Sequence, residues 1–323
     1  MTATATRGPS RVLRVLAPNP SPLTLDGTNS YLIFAGARAI AIDPGPPIAA
    51  HVDTLVAAAA SRAATIAAIV VTHGHPDHAP AAAMLHARTN APVYGHANAT
   101  FPVDRVVGEG ARIDIADASG EIASLHVIDA PGHARDHLVF VYPRENALFT
   151  GDVVIGLGTI VIAPPHGDMR AYQRTLARLR DEYGDARTIY GGHGSAIFHP
   201  RAKLEEYIAH RQRRETEILG ALAAGERTIP ELVATIYANV APVLWPAAAR
   251  QVLAYLIALE REGRVLSRTL ERALTPAEIA MLDPDLSAIV DPASLAVARA
   301  ELGYERELTA IDAYAIARTT FPN

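Results

Sequence analysis

Between residues 11 and 196 the chain alternates short apolar runs with turns built from glycine, proline and histidine. Runs rich in β-branched side chains predict strands, and alanine-rich stretches with helical apolar spacing predict helices. Because the two kinds of element alternate, the pattern predicts an α/β (α+β) layout. We expect strands at 11–16, 30–35, 38–43, 67–72, 92–94, 125–129, 138–142, 146–150 and 187–190, and helices at 48–62, 79–88 and 169–183.

After Pro200 the pattern changes, because helical periodicity replaces the short strands. Helices are predicted at 201–224, 228–239 and 245–262, and a β-like stretch follows at 264–273. Three helices and a β-ribbon are typical of a winged helix. The sequence therefore predicts three parts: a first domain at 1–200, a winged-helix-like domain at 201–273, and a helical, acidic C-terminal extension at 274–323.

The composition is that of a folded chain, since 50% of the 323 residues are hydrophobic and 20% are charged. A net charge of −5 provides no overall basic field for nucleic acid. The chain has no cysteine, so histidine nitrogen and carboxylate oxygen are its strong metal ligands. The polar N-terminus and the lack of an uninterrupted apolar run of about 18 residues lead us to expect a soluble, cytoplasmic protein with no membrane partner.

The densest group of ligand-type side chains is His-Gly-His-Pro-Asp-His at 73–78, directly after an apolar run. Its glycine and proline permit a tight loop that directs alternate side chains to one side. His73 and His75 can then share one ion, while Asp77 and His78 reach a neighbouring one. A polar loop without metal is the alternative, and four ligand types in six positions make it the weaker interpretation.

Three more candidate ligands follow predicted strands, each beside a glycine: His133, Asp152 and His193. A lone histidine is more often structural than a ligand, but strand ends in one sheet region can converge on the first motif. Seven ligands suit two divalent ions, each with about three or four protein groups and an open position for water. One carboxylate can bridge the ions, and Asp152 is the natural bridge.

This ligand set resembles that of the metallo-β-lactamase superfamily over roughly residues 11–200. The sequences at 27–33 (GTNSYLI) and 42–45 (IDPG) also resemble the early strands of that family. The resemblance implies an αββα sandwich as catalytic domain, with two divalent metal ions at one edge. Zinc is the expected metal, although these ligands would equally accept manganese, iron or cobalt. By the resemblance, one ion binds His73, His75 and His133, the other binds Asp77, His78 and His193, and Asp152 bridges them.

Two adjacent cations lower the pKa of a bridging water and polarise the substrate oxygen, so the expected nucleophile is a metal-bridging hydroxide. The chain has neither a Gly-x-Ser-x-Gly elbow nor a cysteine, and a covalent acyl-enzyme route therefore has little support. The candidate catalytic residues are Asp77, itself a ligand, and His137. His137 could contact substrate, donate a proton to the leaving group, or be structural. Asp43 could accept the free N–H of a ligating histidine, or simply form a turn before Pro-Gly.

A metal domain followed by a winged helix resembles the β-lactamase-like-protein-two group, whose animal members are similar to endoribonucleases acting on single-stranded RNA. The local pattern at 131–137 also resembles that group, with Ala134 in place of the usual threonine. We therefore expect a hydrolase acting on an ester-type bond, with three substrates open. They are single-stranded RNA, a small ester or thioester as in the glyoxalase-two group, and a lactone or β-lactam. A non-enzymatic nucleic-acid-binding module with a structural metal domain is the remaining alternative.

The sequence does not decide what the two C-terminal parts bind. Residues 201–272 hold only a slight excess of Lys and Arg over Asp and Glu, so nucleic-acid binding and a packing or dimerisation role both fit. The extension at 274–323 could cover the active site or build a homodimer.

Overall fold

The computed structural model describes residues 11–270, 272, 275–282 and 311–317. The expected tail helix lies partly outside these residues. The described chain folds into two stacked sheets with helices on their outer faces, and a smaller helical domain packs against one side.

The first sheet contains six strands in sequence order: β1 (Val12–Leu16), β2 (Asn29–Ala35), β3 (Arg38–Ile42), β4 (Thr65–Val70), β5 (Val93–Gly95) and β6 (Arg105–Val106). The first three strands pair antiparallel and the rest pair parallel. Parallel neighbours need long crossovers, and α1 (Ala49–Ala60) and α2 (Ala81–Thr89) supply two of them. Both helices therefore lie on the outer face of this sheet.

The second sheet has the order β11-β10-β9-β8-β7. Its strands are β7 (Arg112–Ala116), β8 (Ile122–Asp129), β9 (Leu138–Tyr142), β10 (Ala147–Gly151) and β11 (Thr188–Gly191). Only β10 and β11 pair parallel, and α3 (Met169–Tyr183) forms their crossover. Buried side chains such as Ile33, Ile40 and Phe140 fill the space between the two sheets. The predicted αββα sandwich is confirmed.

The C-terminal domain contains α4 (Pro200–Ala223), α5 (Ile229–Ile236), α6 (Trp245–Arg261) and α7 (Pro276–Leu282). Its small sheet has the order β12-β14-β13, from β12 (Arg227–Thr228), β13 (Val265–Leu270) and β14 (Ile311–Ile316). A reciprocal pair of hydrogen bonds between Thr228 and Glu231 caps the start of α5. This domain and the outer face of the second sheet share one hydrophobic core. The core includes Leu176 of α3, Tyr207 of α4 and Leu256 of α6. That shared core fixes α4 and α6 beside the sandwich.

The structure differs from the sequence expectation at three places. The strands β6 and β7 were not predicted, and residues 311–316 of the extension form a strand instead of a helix. The strand pairs along its whole length with β13, so sheet pairing decides its conformation. Within the described chain, Pro242–Arg261 is long and apolar enough to cross a membrane, but it is mostly buried in the protein, as a central core helix is.

Candidate metal centre

The seven predicted ligands lie at one edge of the sandwich, each after the carboxyl end of a strand. The 73–78 loop follows β4 in the first sheet, whereas His133, Asp152 and His193 follow β8, β10 and β11 in the second. In the second sheet these three strands run the same way, because β8 and β10 both pair antiparallel with β9 and β11 pairs parallel with β10. The ligands from both sheets therefore lie at the same edge of the sandwich.

Two positions beside the ligands must be glycine, because neighbouring atoms pack too closely there to leave room for a Cβ atom. Gly132 has a φ of +138°, and a Cβ there would collide with the backbone of Tyr172 in α3. A Cβ on Gly192 would collide with Asp152 Oδ1 and with the ring of His78. Side chains at these positions would push the ligand loops apart.

One group of ligand atoms consists of three histidine nitrogens. Nδ1 of His75 lies 2.9 Å from Nε2 of His73 and 2.9 Å from Nε2 of His133. All three side chains converge closely enough to hold a single ion.

The second group combines histidines with carboxylates. Oδ2 of Asp77 lies 3.2 Å from Nε2 of His78 and 3.2 Å from Nε2 of His193. Asp152 contacts both groups, since its Oδ1 lies 3.5 Å from His78 Nε2 and its Oδ2 lies 3.4 Å from His193 Nε2 and 3.7 Å from His133 Nε2. Asp152 therefore lies between the two groups of ligand atoms, and its role as a bridge between two ions stays a prediction.

The hydrogen bonds behind the rings show which nitrogen of each histidine carries its proton. The carbonyls of Val161 and Gly27 can only accept, so they accept from Nδ1–H of His133 and His193. The Asp43 carboxylate faces Nδ1 of His78 at 2.9 Å. In the neutral form of these three rings, which metal binding requires, the Nε2 atom has a lone pair that points into the cluster.

The ring of His73 also has its proton on Nδ1. The Thr72 hydroxyl donates to Asp43 Oδ2 at 2.8 Å, so it accepts from Nδ1–H of His73 at 3.0 Å. Four imidazole lone pairs and two carboxylates thus converge on one small volume. Among the described residues, His78 Nε2, Asp77 Oδ1 and Asp152 Oδ1 are buried without a hydrogen-bond partner. Such a set of imidazole nitrogens and carboxylate oxygens is suited to binding divalent cations.

The electrostatics of the cluster support the same conclusion. Burial disfavours the charged form of His193, yet Asp152 and Asp77 outweigh it and raise the pKa of this imidazole to about 10. At the other end, burial and the neighbouring His133 lower the pKa of His75 to about 3. Asp77 and Asp152 therefore favour positive charge at their end of the cluster, which bound metal ions would supply.

Asp43 has the supporting role predicted from its position. It accepts from His78, from the Thr72 hydroxyl and from the Thr72 backbone N–H at 2.7 Å, so it fixes the ring of a ligand and the loop that carries it. The sequence did not single out Thr72, nor Thr28, whose hydroxyl donates to Asp77 Oδ2 at 2.8 Å. A threonine next to a ligand motif is the one signal that could have pointed to Thr72.

His137 lies behind the cluster and is 1% exposed. Its ring stacks on His73, and its Nε2 accepts from the backbone N–H of Asp152 at 3.1 Å. It is not among the residues that line the cavity at the metal centre. This placement favours a role in positioning Asp152, and proton donation by His137 stays a prediction.

A cavity of about 400 Å³ opens from the ligand cluster toward the C-terminal domain. The metal end contributes His75, His133, Asp152 and His193. The opposite wall comes from α4, from α6 and from the segment between α5 and α6. Sequence reasoning missed this wall, because no motif links these helices to the ligands. Its residues include His210, Arg211, Arg214, Tyr237, Val240, Leu244, Ala247, Ala248 and Gln251.

Comparison with known proteins agrees with this geometry. The chain matches the metallo-beta-lactamase superfamily over residues 23–193 and the beta-lactamase associated winged helix domain over residues 228–271. It is 33% identical to a beta-lactamase-like protein 2 homolog of Drosophila melanogaster over 281 residues, which covers 80% of this chain and 91% of that protein. It is 32% identical to an atrochrysone carboxyl ACP thioesterase of Aspergillus fumigatus, covering 70% of this chain and 73% of that protein.

Among solved structures, a metallo-beta-lactamase family protein from Thermus thermophilus superposes with a TM-score of 0.66 at 23% identity, covering 80% of this chain and 96% of that one. This likeness shows the fold, and the family matches and relatives show the membership. The chain therefore belongs to the metallo-beta-lactamase superfamily, as a metal-dependent hydrolase with a beta-lactamase-associated winged helix domain at its C-terminal side.

Proposed function

We propose that the protein hydrolyses an ester or thioester whose acyl part is apolar. The observation that carries this proposal is the cavity of about 400 Å³, which joins the ligand cluster to a largely apolar lining. Pockets of roughly this size and lining bind small molecules. The apolar side chains in the lining are Leu23, Leu25, Ile155, Leu157, Ile160, Val161, Ala163, Tyr237, Val240, Leu244, Ala247 and Ala248.

The cluster would hold two divalent ions, and zinc is the metal we propose because it favours mixed histidine and carboxylate sites. His73, His75 and His133 would hold one ion, Asp77, His78 and His193 the other, with Asp152 between them. When bound, the ions supply Lewis-acid activation of water and of the acyl carbonyl.

The chain's own residues prepare this site. Asp43 orients His78, Thr28 holds the Asp77 carboxylate through its hydroxyl, and backbone carbonyls hold the tautomers of His133 and His193. The apolar wall binds the acyl group and keeps water from its far side. The overall reaction adds one water across the acyl bond and releases a carboxylic acid with an alcohol or a thiol.

The names of two relatives favour a thioester over an ester as the substrate. Proteins of Aspergillus fumigatus and Aspergillus chevalieri that are both 32% identical to this chain are named atrochrysone carboxyl ACP thioesterases. A thiol is also a better leaving group than an alcohol, so a thioester demands less from a proton donor.

Single-stranded RNA is the second candidate, because a separate cavity of about 1090 Å³ is rich in arginine. Its lining includes Arg135, Arg170, Arg174, Arg250 and Arg261. Carboxylates partly neutralise this lining, since Arg170 contacts Glu215 and Glu262, and Arg261 contacts Asp168. Among the described residues of this lining there is no Phe, Tyr or Trp on which bases could stack. The apolar cavity at the ligands therefore fits the acyl substrate better.

The test is a parallel assay of the metal-loaded protein on hexanoyl N-acetylcysteamine thioester, the matching ester, a lactone and a single-stranded RNA. We expect turnover of the thioester or ester, abolished in Asp77→Asn. RNA cleavage without acyl hydrolysis would replace the first candidate with the second.

A further inference from the structure

The end of the cavity opposite the metal ligands contains a buried positive charge. Arg211 of α4 lines the cavity and is 1% exposed. Its guanidinium donates from Nη1 to Gln251 Oε1 at 3.0 Å and from Nη2 to the Ile160 carbonyl at 2.6 Å. Both of these acceptors are neutral.

Within the described part of the chain, no carboxylate forms an ion pair with Arg211. Its other neighbours are aromatic: the guanidinium lies 5.0 Å from the centre of the Tyr172 ring, and the Tyr255 hydroxyl donates to the Arg211 backbone carbonyl. A buried charge without a counter-ion is unusual, since buried arginines are normally paired. The charge therefore leaves a positive potential at this end of the cavity.

Two hydrogen-bond donors at the same place have no acceptor among the described residues: Nε of Arg211 and Nε2 of Gln251. The amide orientation of Gln251 is fixed, because its Oε1 accepts from both Arg211 and the Ile162 backbone N–H. Its amide nitrogen is therefore a true donor, and buried donors normally have a partner.

Two other basic side chains line this end of the cavity, His210 and Arg214. Arg214 pairs with Glu217 and donates to the Ile236 carbonyl, so its charge is partly balanced. The only carboxylate that lines the described cavity is Asp152, at the metal end. The cavity thus has a metal end, apolar walls and a cationic far end.

We infer that the substrate carries an anionic group, a carboxylate, at the far end of its apolar acyl chain, and that Arg211 and Gln251 bind it with Arg214 nearby. The inference rests on the proposed acyl hydrolysis and adds the substrate class. The buried carboxylate would supply the counter-ion and the two acceptors that the described residues do not.

The test compares two series of N-acetylcysteamine thioesters of matched chain length, one ending in methyl and one in carboxylate. With the wild-type protein we expect the carboxylate series to have a KM about tenfold lower at the best length, as for a charge-assisted hydrogen-bonded pair. Gln251→Glu keeps the acceptor for Ile162 and Arg211 but places a carboxylate beside the guanidinium. We expect it to lose the preference, because the KM of the carboxylate series rises about tenfold more than that of the methyl series.

Arg213→Gln is the matched control, because Arg213 lies on the same helix, is exposed and does not line the cavity. It should leave the preference unchanged. Arg214→Gln serves as a second variant should Gln251→Glu not fold, and it should reduce the preference.

A binding measurement gives an answer independent of turnover. The dicarboxylic product acid should raise the melting temperature of the wild-type protein more than the monocarboxylic acid of the same length, and Gln251→Glu should abolish the difference. Equal KM values in both series together with equal melting shifts would overturn the inference. If neither series is hydrolysed, the proposed function fails, and the melting shifts still decide whether the cationic end binds a carboxylate.

Discussion

Replacing Leu157 by serine tests the apolar cavity without disturbing the core. Leu157 lines the cavity, yet it is 67% exposed in the free protein. Its removal should therefore cost little folding free energy and should weaken only the contact with a bound acyl chain. Leu266→Ser is the matched control, because Leu266 is 59% exposed and lies on β13, away from the cavity.

The expected loss of affinity follows from the area of the Leu157 side chain that a bound acyl chain would bury. Full burial of a leucine side chain contributes about 1.5–3 kcal/mol, and an acyl chain that covers the exposed two thirds would recover about 1–2 kcal/mol of this. That free energy corresponds to about a 5- to 30-fold change in affinity.

The assay measures kcat/KM for hexanoyl and acetyl N-acetylcysteamine thioesters. In Leu157→Ser we expect kcat/KM for the hexanoyl compound to fall by about 5- to 30-fold, with the acetyl value unchanged because a short chain does not reach the side chain. Leu266→Ser should match the wild type on both. An equal loss on both thioesters, or an equal loss in the control, would refute an acyl site at Leu157.

Three further substitutions test residues that hold the metal ligands in place, namely Asp43, His137 and Gly132. Asp43→Asn keeps one acceptor oxygen instead of two, so either the His78 N–H or the Thr72 backbone N–H loses its acceptor. We expect metal affinity in chelator competition to fall by about 10- to 100-fold; unchanged affinity would remove Asp43 from the site. His137→Ala should lower turnover by a similar factor for good and poor leaving groups, because His137 supports Asp152; a loss that grows as the leaving group becomes poorer would instead establish the predicted proton donor. Gly132→Ala should lower the free energy of unfolding by more than about 2 kcal/mol in urea titration, since its Cβ collides with the α3 backbone; wild-type stability would mean that the loop relaxes freely.

The ligands could be predicted because each lies in a short motif after a strand, where local sequence decides the geometry. Asp43 was recognised for the same reason, and its contact with His78 is confirmed. In contrast, β7 was missed although Ile113 and Ile115 alternate with Arg112 and Asp114 in the pattern of a half-buried strand, because the run is only five residues long. Antiparallel pairing with β8 along all five residues completes this strand.

The cavity wall could not be predicted from the sequence at all. Arg211 and Gln251 are 40 residues apart and lie on different helices, and each occurs in an ordinary amphipathic pattern. Arg211, Arg213 and Arg214 form a charged run of the kind that is usually solvated, but the structure buries Arg211 and places Arg214 at the cavity. Only tertiary packing of α4 and α6 against the sandwich brings these side chains to the metal end.

The most direct test of the account is the metal content of the purified protein, measured by elemental analysis beside two ligand variants. We expect about two divalent ions per chain in the wild type, about one in His75→Ala, and loss of acyl hydrolysis when both ions are removed by chelation. A wild-type protein that binds fewer than one ion, or that hydrolyses its substrate equally well after chelation, would contradict it. Asp152→Ala should weaken both ions together, because its carboxylate contacts both groups of ligands, and loss of a single ion would contradict the bridging position.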